Sequence, residues 1–209
     1  MEAPGRADRS MEIYFARHGE SEANILRAFS NRGCGHPLTE KGVDQAEALA
    51  SSLAGVSFAR VYSSPLLRAR QTADIVGRRL SAGSVIVTEA LREYDVGVLE
   101  GRTDDLAWGE YFRVAELWRD ARNHDVRIAG GESYAEIQAR FRRFVLGLVD
   151  ERRQTKAARA RVSNVLCVTH GGLLRAGLPA ILDRFDYGFM TDNPLGNCQV
   201  IIVDGRDIR

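Results

Sequence analysis

An apolar run from Ile13 to Ala16 stops at Arg17-His18-Gly19-Glu20, and a polar, helix-prone stretch begins at Ser21. That order predicts a strand, a glycine turn and a helix start. A histidine in such a turn stands at the carboxyl end of a strand, where open α/β sheets place their ligand crevice. The arginine before it is permanently charged and carries a planar fork of donors suited to phosphate. Backbone N–H groups at the opening of a helix favour an anion as well. His18 is therefore read as a nucleophile toward a phosphoryl group, with the rest of the chain bringing positive groups to it.

The same alternation recurs along the chain. Strands are expected at 12–16, 58–62, 85–87, 165–168 and 200–203. Helices are expected at 21–29, at 40–53 and after Ser63-Ser64-Pro65. Others are expected at 104–120, from Ser133 onward and from Gly171 through Leu182. In the second of these Thr39 is a plausible cap, and Val43, Ala46, Leu49, Ala50 and Leu53 recur at helical spacing. Strands alternating with helices imply an α/β fold with a largely parallel sheet covered on both faces. Residues 97–131 are long for a single crossover and are read as a helical lid subdomain. Residues 1–10 read as a disordered tail and 11–209 as one domain.

The 209 residues fit one domain with a sizeable core. A formal net charge of +1 argues against a broad nucleic-acid footprint or an anionic-membrane anchor. No apolar run reaches the length of a bilayer span, and the first residues lack an apolar core of signal-peptide length. Cys34, Cys167 and Cys198 are widely spaced and show no zinc pattern. A reduced, cytoplasmic setting without nucleic-acid or membrane partners is expected.

Arg17-His18, Arg68, Glu93 and His170 each stand just past an expected strand. In a parallel sheet all would face one crevice. Arg17, Arg68 and a protonated His170 would surround three phosphoryl oxygens and stabilise the charge that spreads over them in the transition state. His18 would attack phosphorus and become phosphohistidine. The leaving alkoxide needs a proton; Glu93 is placed to give it, with Asp95 and Glu100 as competitors. No carboxylate-rich cluster has metal-ligand spacing, so neither metal nor other cofactor is expected. Trp108, Tyr111, Phe112 and Trp118 are read as subdomain core. Arg113, Arg119, Arg122 and Arg127 are read as a solvated face, from which some would meet a second anionic group if the lid covers the pocket. His36 and His124 are read as surface loop residues.

These motifs resemble the histidine phosphatase superfamily, in its phosphoglycerate-mutase-like branch. The matching stretches are Arg17-His18-Gly19-Glu20-Ser21-Glu22-Ala23-Asn24, Pro37-Leu38-Thr39-Glu40-Lys41-Gly42 with Gln45-Ala46, and Ser63-Ser64-Pro65-Leu66-Leu67-Arg68-Ala69-Arg70-Gln71-Thr72-Ala73. Leu91-Arg92-Glu93, Gly131-Glu132-Ser133 and Thr169-His170-Gly171 follow in order, so the likeness runs over nearly the whole chain. The resemblance implies an α/β/α sandwich around a mostly parallel sheet. It implies His18 as the phosphorylated nucleophile, Glu93 as proton donor, and Arg17, Arg68 and His170 as phosphate ligands. Asn24 and Gly171 join the substrate-binding set. Family members often carry aspartate two residues before the proline of the PLT stretch; here that position is Gly35.

The expected activity is metal-independent hydrolysis of a small phosphorylated metabolite, with inorganic phosphate as product. A bisphosphoglycerate-dependent phosphoglycerate mutase is the nearest alternative, although no match to the longer mutase insertion is found. A catalytically idle phospho-ligand-binding protein is the other. A homodimer is left open.

Overall fold

The computed structural model describes residues 11–33, 35–154 and 164–209. The tail expected over 1–10, Cys34 and the basic connector from residue 155 onward lie outside them. One five-stranded sheet is built from β1 (Glu12–Arg17), β2 (Phe58–Ser63), β3 (Val85–Val87), β4 (Asn164–Thr169) and β5 (Val200–Asp204). Their order is β3-β2-β4-β1-β5. The β1–β4, β2–β4 and β2–β3 pairs are parallel, and β5 alone runs antiparallel, against β1. All four parallel strands therefore release their chain at the same edge of the sheet, the edge at which Arg17, Ser63 and Thr169 stand.

Both faces of the sheet are covered, and the two-residue period of the strands shows it directly. Ile13, Phe15, Val165 and Cys167 enter one apolar core, together with Phe141 and Val145. Tyr14, Ala16, Leu166 and Val168 enter a second core, together with Leu49, Ala50, Ala69 and Ala73. The first core holds α5 (Tyr134–Gln154) and α6 (Gly171–Gly177) against the sheet; the second holds α2 (Glu40–Ser52) and α3 (Leu67–Arg79). The expected three-layer sandwich is what the chain forms.

Local chemistry sets most boundaries. Thr39 Oγ1 accepts from Gly42 N at 3.0 Å and starts α2. Ser133 and Glu136 cap each other's backbone N–H at the start of α5. α4 (Asp105–Leu117) begins where Asp104 accepts from Ala107 N. Two helices are shorter than expected. α1 covers only Glu22–Leu26, because Arg27 turns left-handed (φ 51°). α6 gives way to a 3-10 turn, Leu178–Ala180, around Pro179, whose ring leaves no N–H for a continuing ladder. α7 (Tyr187–Asp192), capped by Asp186, was not expected. Val43, assigned to the buried stripe of α2 by spacing, is exposed.

Within 97–131, Leu99, Ala107, Val114, Trp118 and Ile128 belong to the same core as Phe15 and Phe141. This segment is thus packed continuously onto the sheet layer. Phe112, expected as core, is 57% exposed, and Trp108 and Tyr111 are only partly buried.

The turn after β1 lies directly on the first turn of α2. A Cβ at Gly19 would come within 2.5 Å of the Gly42 carbonyl, and one at Gly42 would collide with the Glu20 carbonyl. Gly42→Ala is expected to destabilise the fold by about 1–3 kcal/mol through this forced backbone shift. Gly147→Ala, whose Cβ on α5 would meet nothing within 4 Å, is expected to stabilise by about 0.5–1 kcal/mol. Urea denaturation of the two variants checks both signs.

Candidate active site

β1 carries Arg17 and His18 to the carboxyl edge, where His18 N donates to Thr169 O at 2.9 Å and ties the turn to the end of β4. The imidazole is 3% exposed. Its Nδ1 lies 2.6 Å from Gly19 O. A carbonyl only accepts, so Nδ1 carries the proton and Nε2 presents its lone pair. Arg68, in the first turn of α3, donates from Nε to that Nε2 at 3.1 Å and from Nη1 to Ser30 O at 2.8 Å. Thr72, one turn further along α3, accepts from Gly19 N at 3.1 Å and donates to Arg68 O at 2.8 Å. One helix therefore holds both the turn and the guanidinium.

His170 follows β4 and is fully buried. Its ring centroid is 5.0 Å from that of His18. Nε2 lies 2.7 Å from Ser64 Oγ, and Nδ1 has no partner among the described residues. Arg17 donates from Nη1 to Leu195 O at 2.6 Å, while its buried Nε is also unpartnered. Asn24 accepts at Oδ1 from Ser21 N (3.1 Å) and Ser21 Oγ (3.2 Å), which settles the orientation of its amide.

Glu93 is fixed by backbone. Oε2 accepts from Gly172 N at 2.8 Å and Oε1 from Tyr94 N at 3.0 Å. A Cβ at Gly172 would lie 2.7 and 2.8 Å from the two carboxyl oxygens, so only glycine there lets the carboxylate sit against α6. Its competitors are engaged elsewhere. Asp95 holds Arg32 Nε (3.0 and 2.9 Å) and Gly97 N (2.7 Å). Glu100 accepts from Asn31 N and Arg32 N.

Burial and the Arg68 guanidinium hold the His18 imidazole well below the usual histidine range. The same two causes, in the same order, act on His170. Burial lowers Arg68 to about 10, opposed by the Glu93 carboxylate. Burial also lowers Arg17. Two imidazoles and two guanidiniums crowded out of water, with one carboxylate nearby, favour an anion that would repartner them.

Arg17, His18, Asn24, Arg68, Glu93 and Gly171 line one open cleft of about 240 Å³; His170 lies beneath it. The cleft also takes Trp108 and Tyr111, which pack against the first core as well, so the core reading of them holds in part. The arginines of residues 97–131 do not reach the cleft. Arg113 pairs with Glu110, Arg119 with Glu116 and Asp192, Arg122 with Asp120, and Arg127 with Glu136. Gly35 is exposed and off the cleft, and His36 bonds to Ser30 Oγ at 2.9 Å. His124 is half-buried, its ring 4.3 Å from that of Tyr134. Three supporting residues have no role assigned from sequence, although Thr72 falls within a matched stretch. Thr72 lies on the same face of α3 as Arg68, four residues on, a spacing that would have found it. Arg175 stands likewise to Gly171 on α6. Asn197, whose Nδ2 donates to His18 O at 3.0 Å, gave no local signal.

An α/β sheet with a buried imidazole flanked by arginines at its carboxyl edge defines a phosphoryl-binding enzyme class. The chain belongs to the histidine phosphatase superfamily (branch 1), whose sequence profile matches residues 13–208. Among curated relatives it is 35% identical over 180 residues to a 2,3-bisphosphoglycerate-dependent phosphoglycerate mutase of Sinorhizobium fredii, covering 82% of this chain and 79% of that one. It is 33% identical over 183 residues to a probable phosphoglycerate mutase of Proteus mirabilis, covering 83% and 79%. Among solved structures it resembles mycobacterial glucosyl-3-phosphoglycerate phosphatase in complex with inorganic phosphate. There the TM-score is 0.77 and the identity 27%, covering 96% of this chain and 94% of that one. The α-ribazole phosphatase of Shigella flexneri follows with TM-score 0.71 and 28% identity, covering 93% and 90%. Among the described residues no helix is long and apolar enough to cross a membrane.

The depressed imidazoles make stability depend on pH. Above about 6.5 both are neutral in the folded and unfolded chain, and stability is complete. Below that, the unfolded chain takes up protons that buried His18 and His170 refuse. Stability is then lost as pH falls toward the folded pKa values, by about 1.4 kcal/mol per pH unit for each histidine. Urea midpoints at pH 7, 6 and 5 should fall accordingly, and His18→Ala should remove about half of the slope contributed by the pair. A flat profile would show that the imidazoles are not held neutral.

Proposed function

We propose that the protein is a phosphatase that hydrolyses small phosphomonoesters through a phosphohistidine on His18. The observation that carries this reading is the 2.6 Å contact from His18 Nδ1 to Gly19 O, which leaves Nε2 as the only nucleophilic nitrogen and points it into the cleft beside Arg68. The superfamily and the phosphatase names among its structural neighbours support it.

The substrate phosphoryl group enters among Arg17, Arg68, His170 and Asn24. Arg68 Nε gives up its bond to His18 Nε2 and turns its donors to the phosphoryl oxygens. The incoming dianion raises His170, which takes a proton and donates from its unpartnered Nδ1. The Nε2 lone pair of His18 forms a bond to phosphorus as the bond to the ester oxygen breaks. Glu93, as the carboxylic acid, delivers its proton to that oxygen and the alcohol leaves. Water then attacks phosphorus, Glu93 takes its proton, and the N–P electron pair returns to His18. Inorganic phosphate departs. Residues 97–131 serve as the wall of the cleft and bring Trp108 and Tyr111 to the leaving group. A cytoplasmic setting suits a small phosphorylated metabolite as substrate.

A mutase is the second reading, favoured by the names of the 33–35% identical relatives. It shares the first half-reaction but returns the phosphoryl group to a bound sugar acid instead of water.

Rapid quench with phosphorus-labelled ester should place label on the protein, acid-labile and base-stable, and absent from His18→Ala. That variant should lose about 10³-fold or more in turnover while keeping its fold. Label persisting in His18→Ala would sink the assignment. Free phosphate released without a bisphosphorylated primer supports the phosphatase; strict dependence on the primer supports the mutase. Glu93→Gln should lower kcat/KM for alkyl esters by about 10²–10⁴-fold and for nitrophenyl esters far less, because a good leaving group needs little protonation. Equal losses would point to another acid.

A further inference from the structure

The two imidazoles of the site stand 5.0 Å apart, and the stretch that opens α3 supplies a partner to each. Arg68 Nε donates to His18 Nε2 at 3.1 Å, and Ser64 Oγ lies 2.7 Å from His170 Nε2. Arg68 already has a place among the phosphate ligands; Ser64 has none. Ser64 and His170 are both fully buried. A buried hydroxyl must place its one proton and its lone pairs on fixed neighbours, because bulk water cannot take them.

The strands decide where Ser64 sits. β2 ends at Ser63, and Ser64 N donates to Val168 O at 3.0 Å. Val168 pairs with Ser63 across the parallel β2–β4 ladder and stands two residues before His170. The ladder therefore delivers the serine and the histidine to one edge in register. The neighbouring hydroxyls are spent elsewhere. Ser63 Oγ donates to Ser64 O at 2.8 Å, and Thr169 Oγ1 to Leu91 O at 2.7 Å.

Among the described residues Ser64 Oγ has two partners. Leu66 N, 3.3 Å away, can only donate, so it occupies one lone pair. The Ser64 proton is then left with a single acceptor in reach, His170 Nε2. Were Nε2 protonated at rest, the hydroxyl proton would be buried without an acceptor, a costly arrangement. Nε2 is thus the lone-pair nitrogen, and Nδ1 carries the proton. Nδ1 is the nitrogen that has no partner among the described residues, like Arg17 Nε in the same cup. Burial, with Arg68, His18, Arg17 and Arg92 around it, keeps the resting ring neutral.

We propose that Ser64 is a positioning residue that fixes His170 in the Nδ1–H tautomer, so that the ring meets an incoming phosphoryl oxygen with a donor before it has taken up any proton. The other tautomer would turn a lone pair toward that oxygen and repel it. A donor arranged in advance needs no reorganisation when the anion arrives. Once the bound dianion has drawn a proton to Nε2, the second lone pair of Ser64 accepts it, and Nδ1 keeps its hydrogen throughout. Ser64 acts through His170 and touches no reacting atom. The proposal rests on the phosphoryl reading of the cleft, but the tautomer is read without ligand, so the two can fail separately.

The chain has four histidines. Nitrogen-15 labelling of histidine with long-range proton–nitrogen correlation shows, ring by ring, which nitrogen bears the proton, and His170→Gln identifies the signals of His170. In the ligand-free parent at neutral pH that ring is expected in a single tautomer, with hydrogen at Nδ1. Hydrogen at Nε2, or exchange between the two, overturns the proposal. Ser64→Ala should release the ring from that tautomer. It should also weaken inorganic phosphate, followed by calorimetric titration, by about tenfold or more. Ser63→Ala removes the adjacent buried hydroxyl and should change phosphate affinity by less than about twofold. An unchanged tautomer in Ser64→Ala overturns the proposal. So does an equal loss of affinity in Ser63→Ala, since that is what general damage to the turn gives. If Ser64→Ala does not fold, Ser64→Cys takes its place under the same outcomes, because a thiol keeps the shape and is only a weak donor. If the parent binds no phosphate, the phosphoryl reading of the cleft fails, and the ligand-free tautomer still decides the part played by Ser64.

Discussion

The carbonyl of Gly19 lies 2.6 Å from Nδ1 of His18 and can only accept a hydrogen bond. That contact fixes which nitrogen holds the proton, which way the ring faces, and which lone pair meets the cleft. It exists because the turn after β1 is pressed onto α2. Gly19 and Gly42 approach so closely that neither tolerates a Cβ. Thr72 holds Gly19 N from α3. Were the turn to relax, the imidazole would be free to change tautomer, and the rest of the cleft would surround a group of undefined reactivity.

The environment around that imidazole is electrostatically unfavourable by itself. Arg68, buried, and Arg17, half-buried, stand beside two buried histidines, and loss of water lowers all four. The fold tolerates this because it is anchored elsewhere, by two apolar cores on opposite faces of one sheet. Stability comes from alternating strand residues such as Ile13 and Phe15 on one side and Tyr14 and Ala16 on the other. The polar edge is then free to hold Arg17 Nε and His170 Nδ1, which have no partner among the described residues.

Much of this was legible in the chain. The five strands follow from short apolar runs, and their parallel pairing follows from the helices between them. Parallel pairing then requires Arg17, His18, Arg68, Glu93 and His170 to share an edge although they are spread over more than 150 residues of sequence. Less legible were features decided by packing. Trp108 and Tyr111 pack against the first core, as expected, but their other side lines the cleft, a double role that only the placement of α4 against Phe29 decides. Phe112, one residue further round the helix, is left exposed. The arginines of 97–131 look available by sequence and are all paired with acids, Arg119 even with Asp192 on α7.

The sequence by itself determined the sheet, the layering and the set of cationic groups at one edge, because hydrophobic period and strand–helix alternation are local properties. Only the tertiary structure decided which carboxylate lies against α6, which nitrogen of His18 faces Arg68, and which arginines of 97–131 are paired with acids. The first two depend on distances between segments far apart in the chain. Glu93, Asp95 and Glu100 are chemically near-equivalent as a string; they differ because Gly172 leaves room for one of them and Arg32 and Asn31 occupy the other two.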